Sequence, residues 1–266
     1  MAEDLLRAQF AAQSLFDLTG RAAVVTGAGR GLGRTLAAGL AANGAAVVVA
    51  DKAEGAAYEV ARAIGAAGGR ALGAYVDVTD PQSCADLVAR TIRTYGQIHI
   101  LVNNAAIDNA QPFAEISPTA WSTVIDTNLT GVFECSQTVV RQMLADKTPG
   151  SIVNISSIAA SVAIGNLASY SAAKAGIQQL TKVMALELAS AGIRVNALAP
   201  GYLDNVMAGM EETHRSEKEA AIRLRTPIGR RARLSELVGP LLFLVSDASS
   251  YVTGTTLVVD GGYSAC

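Results

Sequence analysis

The chain has 266 residues, half of them hydrophobic, and a net charge of −2, so neither nucleic acid nor an anionic membrane surface is an expected partner. Its three cysteines, Cys84, Cys135 and Cys266, are scattered without metal-ligand spacing, which indicates reduced thiols in a cytoplasmic protein without a metal site. The sequence shows no signal-peptide pattern and no apolar run of the ~18 residues that a membrane-spanning helix needs.

After an amphipathic leader over residues 1–18, apolar runs alternate with helical stretches rich in Ala and Leu. The predicted strands are Ala22–Val25, Ala46–Ala50, Ala71–Val76, Ile98–Val102, Ile152–Ile155, Ile193–Ala197 and Thr256–Val259. Repeated strand–helix–strand units imply a parallel sheet with helices on both faces. Residues 19–266 are therefore predicted to form a single α/β domain, a Rossmann-type doubly wound fold with a seven-stranded sheet. Its ligand crevice should lie at the carboxyl ends of the strands.

A glycine-rich turn follows the first predicted strand and leads into a helix predicted at Arg34–Asn43. Glycines permit a tight turn and let a pyrophosphate approach the N–H groups at a helix N-terminus. The spacing is Gly-x-x-x-Gly-x-Gly rather than the commoner Gly-x-Gly-x-x-Gly, and many glycine turns are only turns. The position between strand and helix favours a dinucleotide site, with contacts from Gly27, Arg30, Gly31, Leu32 and Gly33.

The next two strands end in carboxylates that would face the nucleotide. Asp51 stands where a carboxylate hydrogen-bonds an adenosine ribose, and its charge would repel a 2′-phosphate, which favours NAD over NADP. Arg30 and Lys52 are nearby cations that could instead hold a phosphate. Asp77-Val78 could face the adenine, although Asp77 could also just cap the turn that follows it.

Amides follow the fourth strand and lie within the next helix. Asn103-Asn104-Ala105-Ala106 places small residues after a strand end, where a backbone can pass close to a cofactor. Asn128 falls inside a helix, and a buried amide there must be hydrogen-bonded. It either joins a polar network at the site or pins the helix to a strand.

Three polar side chains converge where the fifth strand meets the following helix. Tyr170 and Lys174 lie one helical turn apart on one face, and Ser157 follows the strand. A tyrosine of pKa about 10 is a poor base, but a cation about 4 Å away supplies about 4 kcal/mol, which lowers that pKa by ~2–3 units. Ser157 could then donate a hydrogen bond to the substrate oxygen. Taken alone, such a Tyr-x-x-x-Lys pair is more often a surface pair.

The strand–helix rhythm breaks over residues 203–233, after Pro200-Gly201-Tyr202. This charged insertion would sit over the carboxyl ends of the strands, as a lid over a substrate does. Its basic residues could attract an anionic substrate, but they alternate with acidic ones as on a solvated helix face.

Taken together, these residues resemble the short-chain dehydrogenase/reductase family over about residues 15–263. The matching motifs are Thr26–Gly33, Asn103-Asn104-Ala105, Asn128, Ser157, Tyr170 with Lys174, and Pro200-Gly201. The opening residues 14–20 and the closing residues 249–263 look like those of gluconate 5-dehydrogenases and related polyol dehydrogenases in the family. Similar endings also occur in 3-oxoacyl-carrier-protein reductases.

The resemblance implies a hydride-transferring alcohol dehydrogenase or ketone reductase. Tyr170 would be the acid/base, and Lys174 would bind the nicotinamide ribose while lowering the tyrosine pKa. Ser157 would hold the substrate oxygen, and Asn128 would position a proton-relay water. Family members usually form tetramers through two long helices, here residues 119–145 and 169–191, with the C-terminus at another interface.

The implied cofactor contacts are Gly27, Arg30, Gly31, Leu32, Gly33, Asp51, Asp77, Val78, Asn104, Ala105, Tyr170, Lys174, Pro200, Gly201, Leu203 and Asn205. The implied substrate contacts are Ser157, Tyr170, Ala106, Asp108 and Tyr202. The chain departs from the family at three of these positions. Ala106 replaces a usual Gly, Asn205 stands where a Thr often binds the nicotinamide amide, and Asp51 replaces a basic residue common in gluconate 5-dehydrogenases.

The sequence thus predicts a homotetrameric, NAD-dependent dehydrogenase that oxidises a secondary alcohol of a polyol, sugar or sugar acid. One alternative is an NADPH-dependent 3-oxoacyl-carrier-protein reductase. Another is a non-catalytic, NAD-sensing regulator or scaffold, against which the complete set of Asn128, Ser157, Tyr170 and Lys174 argues, because a mere binder has no need of the phenol.

Overall fold

The computed structural model describes residues 12–204 and 215–265. Across these two ranges the chain forms a seven-stranded, all-parallel sheet in the order β3-β2-β1-β4-β5-β6-β7. The strands are β1 (Ala22–Thr26), β2 (Ala46–Asp51), β3 (Arg70–Tyr75), β4 (Ile100–Asn103), β5 (Gly150–Ile155), β6 (Ile193–Pro200) and β7 (Thr256–Val259). Each coincides with a predicted strand to within a few residues, so the predicted α/β architecture is confirmed.

The described helices alternate with these strands. They are α1 (Ala12–Leu15), α2 (Gly31–Ala42), α3 (Glu54–Ala66), α4 (Pro81–Tyr95), α5 (Pro118–Ile125), α6 (Gly131–Asp146), α7 (Ala168–Leu188), α8 (Arg215–Arg225) and α9 (Val238–Val245). The long helix expected over residues 119–145 is two helices, α5 and α6, joined by a π-helical turn at Asp126–Thr130. Such turns often mark functional sites, and this one carries Asn128.

Helices cover both faces of the sheet because neighbouring strand residues point in opposite directions. On β1, Val25 joins a core with side chains of α2, α3 and α9, and Val24 joins the opposite core with α4, α6 and α7. Both faces of the sheet are therefore buried under helices and inaccessible to solvent. Polar side chains that act on a ligand must come from the strand ends and the loops beyond them.

The crevice lies between β1 and β4. β1 pairs with β2 on one side and with β4 on the other, so the chain crosses over in opposite directions from this point. In a doubly wound sheet, ligands bind outside the carboxyl ends of the strands at such a switch. The residues after Thr26 and after Asn103 face this crevice.

Local capping signals explain where two helices begin. Asp80 accepts a hydrogen bond from the Gln82 N–H at 2.9 Å, and Pro81 occupies the first position of α4. Ser117 and Pro118 start α5 in the same way, with the Ala120 N–H donating to the Ser117 hydroxyl at 3.1 Å.

Two predicted segments are only partly described. Residues 1–11 of the leader and 205–214 of the insertion lie outside the described ranges. The two ends of the insertion meet beside β6: Leu203 pairs with Ala232 in a parallel bridge, and the Ala232 N–H donates to the Tyr202 carbonyl at 2.9 Å. The bridge holds the first and last residues of the insertion together beside β6. The role of the insertion as a substrate lid stays a prediction.

Cys84 of α4 and Cys135 of α6, 51 positions apart in sequence, meet in the core as free thiols with their sulfurs 3.1 Å apart. Cys266 lies outside the described residues. None of the described helices combines the length and apolar character needed to cross a membrane. In the same residues, His, Cys, Asp and Glu form no group of three that could hold a metal ion.

Candidate active site

The glycine turn packs so closely on the end of β4 that side chains would not fit there. Gly27 has a φ of +61°, and a Cβ on it would lie 2.7 Å from the Cα of Ala105. A Cβ on Gly33, in the first turn of α2, would lie 2.2 Å from the Gly27 carbonyl oxygen. The turn therefore presents bare backbone at a helix N-terminus, as pyrophosphate binding requires.

Asn104 holds this turn in place. Its side-chain amide donates to the carbonyls of Thr26 and Gly27 at 3.0 and 2.9 Å, and the Thr26 hydroxyl accepts from the N–H groups of Asn104 and Ala105 at 3.1 Å each. Four hydrogen bonds thus join the glycine turn after β1 to the residues that follow β4. The side-chain amide and the backbone N–H of Asn104 are both engaged in bracing the turn, and its role as a cofactor contact stays a prediction.

Replacing Gly33 with Ala should destabilise the protein by about 2 kcal/mol or more, because the new methyl meets backbone that cannot move away. Gly65, in the last turn of α3, is the matched control. A Cβ there meets nothing within 4 Å, so Gly65→Ala should stabilise by up to ~1 kcal/mol. Urea unfolding followed by circular dichroism measures both. A Gly33→Ala protein as stable as the Gly65→Ala protein would contradict the close packing of the turn.

Asp51 connects the glycine turn to the end of β2. Its Oδ2 accepts from the Gly29 N–H at 2.8 Å and its Oδ1 from the Ala53 N–H at 2.9 Å. A Cβ on Gly29 would lie 3.0 Å from Oδ2, so a side chain at this position would push the carboxylate away from the turn. The negative charge is therefore fixed beside the glycine turn.

Asp77 caps its turn, one of the two roles that the sequence left open. It accepts from the N–H and hydroxyl of Thr79 at 3.1 and 2.7 Å and pairs with the Lys52 ammonium at 2.5 Å. The Lys52 bond is the largest cause of the lowered pKa of Asp77. Lys52, a candidate phosphate ligand, is thus already ion-paired. Val78 is buried against α6, where a Cβ on Gly131 would lie 2.7 Å from it.

Ser157, Tyr170 and Lys174 come together as the sequence predicts. Ser157 lies just beyond β5, and Tyr170 and Lys174 lie in the first two turns of α7. The Tyr170 hydroxyl is hydrogen-bonded to the Ser157 side chain, and the Lys174 Nζ lies 5.5 Å from the centroid of the Tyr170 ring. Lys174 is 2 % exposed, and its ammonium donates to the Ile155 carbonyl at 2.7 Å. These contacts fix all three groups against the end of β5.

The pKa of Tyr170 differs from the sequence expectation. Burial, the largest cause, and the nearby charge of Asp108 raise the pKa of Tyr170 to about 12, although the Ser157 hydrogen bond lowers it. Burial likewise lowers the pKa of Lys174 to about 8. Loss of hydration outweighs the attraction between the two groups, because the Lys174 ammonium is buried and the Tyr170 side chain is partly buried. Within the protein itself, the phenol is therefore held neutral at physiological pH.

Asn128 holds the backbone of Ile107 from both sides. Its side-chain oxygen accepts from the Ile107 N–H at 2.9 Å, and its amide donates to the Ile107 carbonyl at 2.8 Å. Asn128 is fully buried in the π-helical turn. Both of its side-chain groups are thus committed to the loop after β4, the pinning role that the sequence left as an alternative. Ala106 lies next to this clamped residue and is partly exposed at the crevice.

A buried polar network beneath the site was missed by sequence reasoning. The Asn103 amide donates to Ser136 and to Asn154, each at 2.8 Å, and the Asn154 amide donates to Thr181 at 2.9 Å. These bonds connect β4 and β5 to α6 and α7. The available signal was an asparagine inside each of two apolar strands, since buried amides must find partners.

The residues after β6 form the far wall of the crevice. The Gly201 N–H donates to the Val259 carbonyl at 3.0 Å, and a Cβ on Gly201 would lie 2.7 Å from the Cα of Asp260. Tyr202 packs edge-to-face on Tyr263 with ring centroids 5.3 Å apart. Pro200, Gly201, Tyr202 and Leu203 thus stand together at the strand end, whereas Asn205 lies outside the described residues.

The sheet and its switch point define a protein of the Rossmann-like α/β class. The chain belongs to the short-chain dehydrogenase/reductase family of oxidoreductases: the profile described as enoyl-(acyl carrier protein) reductase matches residues 27–264. The resemblance seen in the sequence is thereby confirmed.

The chain is similar over nearly its whole length to several dehydrogenases and reductases. The chain is 47 % identical over 247 residues to cis-4-hydroxycyclohexanecarboxylate dehydrogenase of Sinomonas cyclohexanicum, which covers 92 % of this chain and 97 % of that protein. It is 37 % identical over 243 residues to 3-oxoacyl-[acyl-carrier-protein] reductase of Escherichia coli, covering 91 % and 97 %. The crystal structure of a gluconate 5-dehydrogenase from Burkholderia cenocepacia, in complex with NADP and tartrate, superposes with a TM-score of 0.91 at 38 % identity, covering 96 % and 99 %.

Proposed function

We propose that the protein oxidises a secondary alcohol of a polyol, sugar or sugar acid to a ketone, with NAD as the hydride acceptor. The observation that carries this proposal is the cluster of Ser157, Tyr170 and Lys174 at the end of β5, on the same edge of the sheet as the glycine turn. The gluconate 5-dehydrogenase in complex with NADP and tartrate supports a nicotinamide dinucleotide and a sugar-acid substrate class, while the choice of NAD rests on Asp51 of this chain.

The residues present fit a nicotinamide dinucleotide. At Gly27 and Gly33 the turn leaves no room for a side chain, and it presents a helix N-terminus to a pyrophosphate, while Asp51 offers its carboxylate to a ribose. Lys174 would hold the nicotinamide ribose, with Pro200 and Gly201 forming the opposite wall. When bound, the oxidised dinucleotide supplies the hydride acceptor and a positively charged ring.

The protein's own groups would handle the proton. Tyr170 Oη takes the proton of the substrate hydroxyl as hydride leaves the carbon, so that the carbon is oxidised to a carbonyl. Ser157 donates a hydrogen bond to the substrate oxygen, where negative charge gathers. The Lys174 ammonium stabilises the phenolate that begins the reaction, offsetting the burial that raises the pKa of Tyr170. Asn128, with its side chain committed to Ile107, acts by fixing the substrate-side loop.

Asp51 is the basis for proposing NAD rather than NADP. Its carboxylate is fixed by two backbone N–H groups and cannot swing away from a 2′-phosphate, whereas Lys52 is engaged with Asp77. Asp51→Ala should therefore reduce the ratio of kcat/KM with NAD to kcat/KM with NADP by about 10-fold or more, because removing one charge–phosphate clash restores NADP use. Lys52→Ala is the control and should leave the ratio nearly unchanged. Wild-type protein that works better with NADP would contradict the proposal.

The experiment that tests the function is absorbance at the reduced-nicotinamide band, run with NAD and NADP against polyols, sugar acids and acyl β-ketones. Turnover of polyols or sugar acids with NAD supports the proposal. Preferred reduction of acyl β-ketones with NADPH would support the alternative activity, which the similarity to the Escherichia coli reductase favours. Nucleotide binding without any turnover would point to the non-catalytic sensor.

A homotetramer is part of the proposal. Apolar side chains that would otherwise face water lie on the two helices expected at the interface: Phe133 and Leu144 on α6, and Val183 and Leu186 on α7. Exposed apolar residues gathered on neighbouring helices are typical of a surface that another subunit covers. The insertion between Leu203 and Ala232 is proposed as the substrate lid.

A further inference from the structure

Asp108 lies in a loop that is anchored on both sides beside Tyr170. Asn128 fixes the preceding residue, Ile107, through two hydrogen bonds. Beyond Asp108, the Gln111 N–H donates at 2.9 Å to the carbonyl of Asn166, one turn before Tyr170. The loop therefore bridges the end of β4 and the start of α7. Its rigid attachment is what a group that positions a ligand requires.

One oxygen of the Asp108 carboxylate has no partner. Its Oδ1 is buried and accepts no hydrogen bond from the part of the chain that the structure describes. Nearly all buried polar groups in folded proteins are hydrogen-bonded, so an orphaned carboxylate oxygen near Tyr170 requires an explanation. A ligand that brings a hydrogen-bond donor would satisfy it.

The charge of Asp108 works against the proton-transfer group. It raises the pKa of Tyr170, and burial in turn raises the pKa of Asp108 itself. A carboxylate at this place hinders formation of the phenolate and repels any second anion nearby. The Asp108 carboxylate thus does not assist the phenol, and its unpartnered oxygen leaves it able to accept a hydrogen bond from a substrate.

We infer that Asp108 Oδ1 accepts a hydrogen bond from a second hydroxyl of the substrate, on a carbon next to the one that reacts, so that the preferred substrates are vicinal diols, as in polyols and sugars. The negative charge of Asp108 excludes a substrate carboxylate from the carbon next to the reacting one. In a sugar acid, the carboxylate would therefore lie at the far end of the molecule from the reacting carbon. This inference rests on the proposed function and narrows its substrate class.

The test compares three cyclic alcohols that differ at one carbon: 1,2-cyclohexanediol, cyclohexanol and 2-hydroxycyclohexanecarboxylate. kcat/KM is measured for each with wild type, Asp108→Ala and Asp108→Asn, and with Asp86→Asn on the exposed face of α4 as the matched control. Wild type should prefer the diol over cyclohexanol by about 100-fold, because a site built to bond a hydroxyl rejects an analogue without it. In Asp108→Ala this preference should fall to less than about 10-fold, mainly through KM. Asp108→Asn should fall in between and accept the hydroxy acid better than wild type does.

A second readout separates a role toward substrate from a merely structural one. Among residues 12–204 and 215–265, the charged and hydroxyl groups facing Tyr170 are Ser157, Lys174 and Asp108. Removing the Asp108 charge should shift the pH profile of cyclohexanol oxidation toward lower pH, a change that misfolding does not produce. An equal diol preference in wild type and Asp108→Ala would overturn the inference and leave the proposed function standing. If wild type oxidises no secondary alcohol with either nucleotide, the proposed function itself fails.

Discussion

The Tyr170→Phe variant is expected to lose at least about 10³-fold in kcat while keeping its affinity for the nicotinamide nucleotide. The substitution removes only the hydroxyl, and general acid–base groups contribute typically 10²–10⁴-fold to a rate. The ring remains, so its packing near the Lys174 ammonium, 5.5 Å from the centroid, is preserved. Steady-state turnover and titration of nucleotide fluorescence measure the two effects separately.

The pH dependence of the same protein gives an independent check. Because the pKa of Tyr170 is raised to about 12, little phenolate is present at neutral pH, and wild-type oxidation should speed up as pH rises. The residual rate of the Phe variant should lack this rise. Tyr251→Phe, at a fully exposed tyrosine, is the control and should behave as wild type. A Phe variant with more than a tenth of wild-type kcat would show that the phenol is not the proton-transfer group.

The Lys174→Met variant is expected to be inactive yet more stable than wild type at pH 7. Lowering the pKa of a fully buried lysine from 10.5 to about 8 corresponds to about 3 kcal/mol of destabilisation. Methionine has a similar shape and removes this cost, although it leaves the Ile155 carbonyl without its bond, a loss of about 1–2 kcal/mol. The expected net gain is about 1–2 kcal/mol in the free energy of unfolding.

The sign of the pH dependence distinguishes this explanation from better packing alone. A lysine whose pKa is lower in the folded than in the unfolded state opposes folding fully below about pH 8. The opposition disappears as pH rises toward 10.5, since the unfolded chain then also releases its proton. The stability advantage of Lys174→Met should therefore shrink over this range. Lys182→Met, at an exposed position on the same helix, should change stability by less than about 0.5 kcal/mol at every pH. A constant advantage, or a less stable Met variant at pH 7, would refute a buried charge as the cause.

The strands were predictable because each is a short apolar run between turn residues, and a sheet buried on both faces needs such runs. The glycine turn and the Ser157, Tyr170 and Lys174 cluster were predictable too, since spacing along one helix fixes which side chains share a face. For the strands, the glycine turn and this cluster, the residues that local structure favours are the same ones that the tertiary fold requires.

What escaped prediction depends on residues distant in sequence. The partner of Asn128 is the backbone of Ile107, and no pattern around Asn128 indicates it. The pairing of Lys52 with Asp77 and the meeting of Cys84 with Cys135 likewise follow from how elements pack. The expected lowering of the Tyr170 pKa was wrong for the protein by itself because burial, which the sequence does not display, outweighs one nearby cation.

The proton-transfer groups and Asp108 are attached to the fold in different ways. Tyr170 and Lys174 stand on one long helix locked to the end of β5, whereas Asp108 stands on a short loop tied down by Asn128 and one backbone bond at Gln111. Changes of sequence in that loop can thus alter which alcohols are accepted without moving the phenol or the ammonium. Related enzymes with different sequences in this loop would therefore evolve different substrate specificities while retaining the same proton-transfer chemistry.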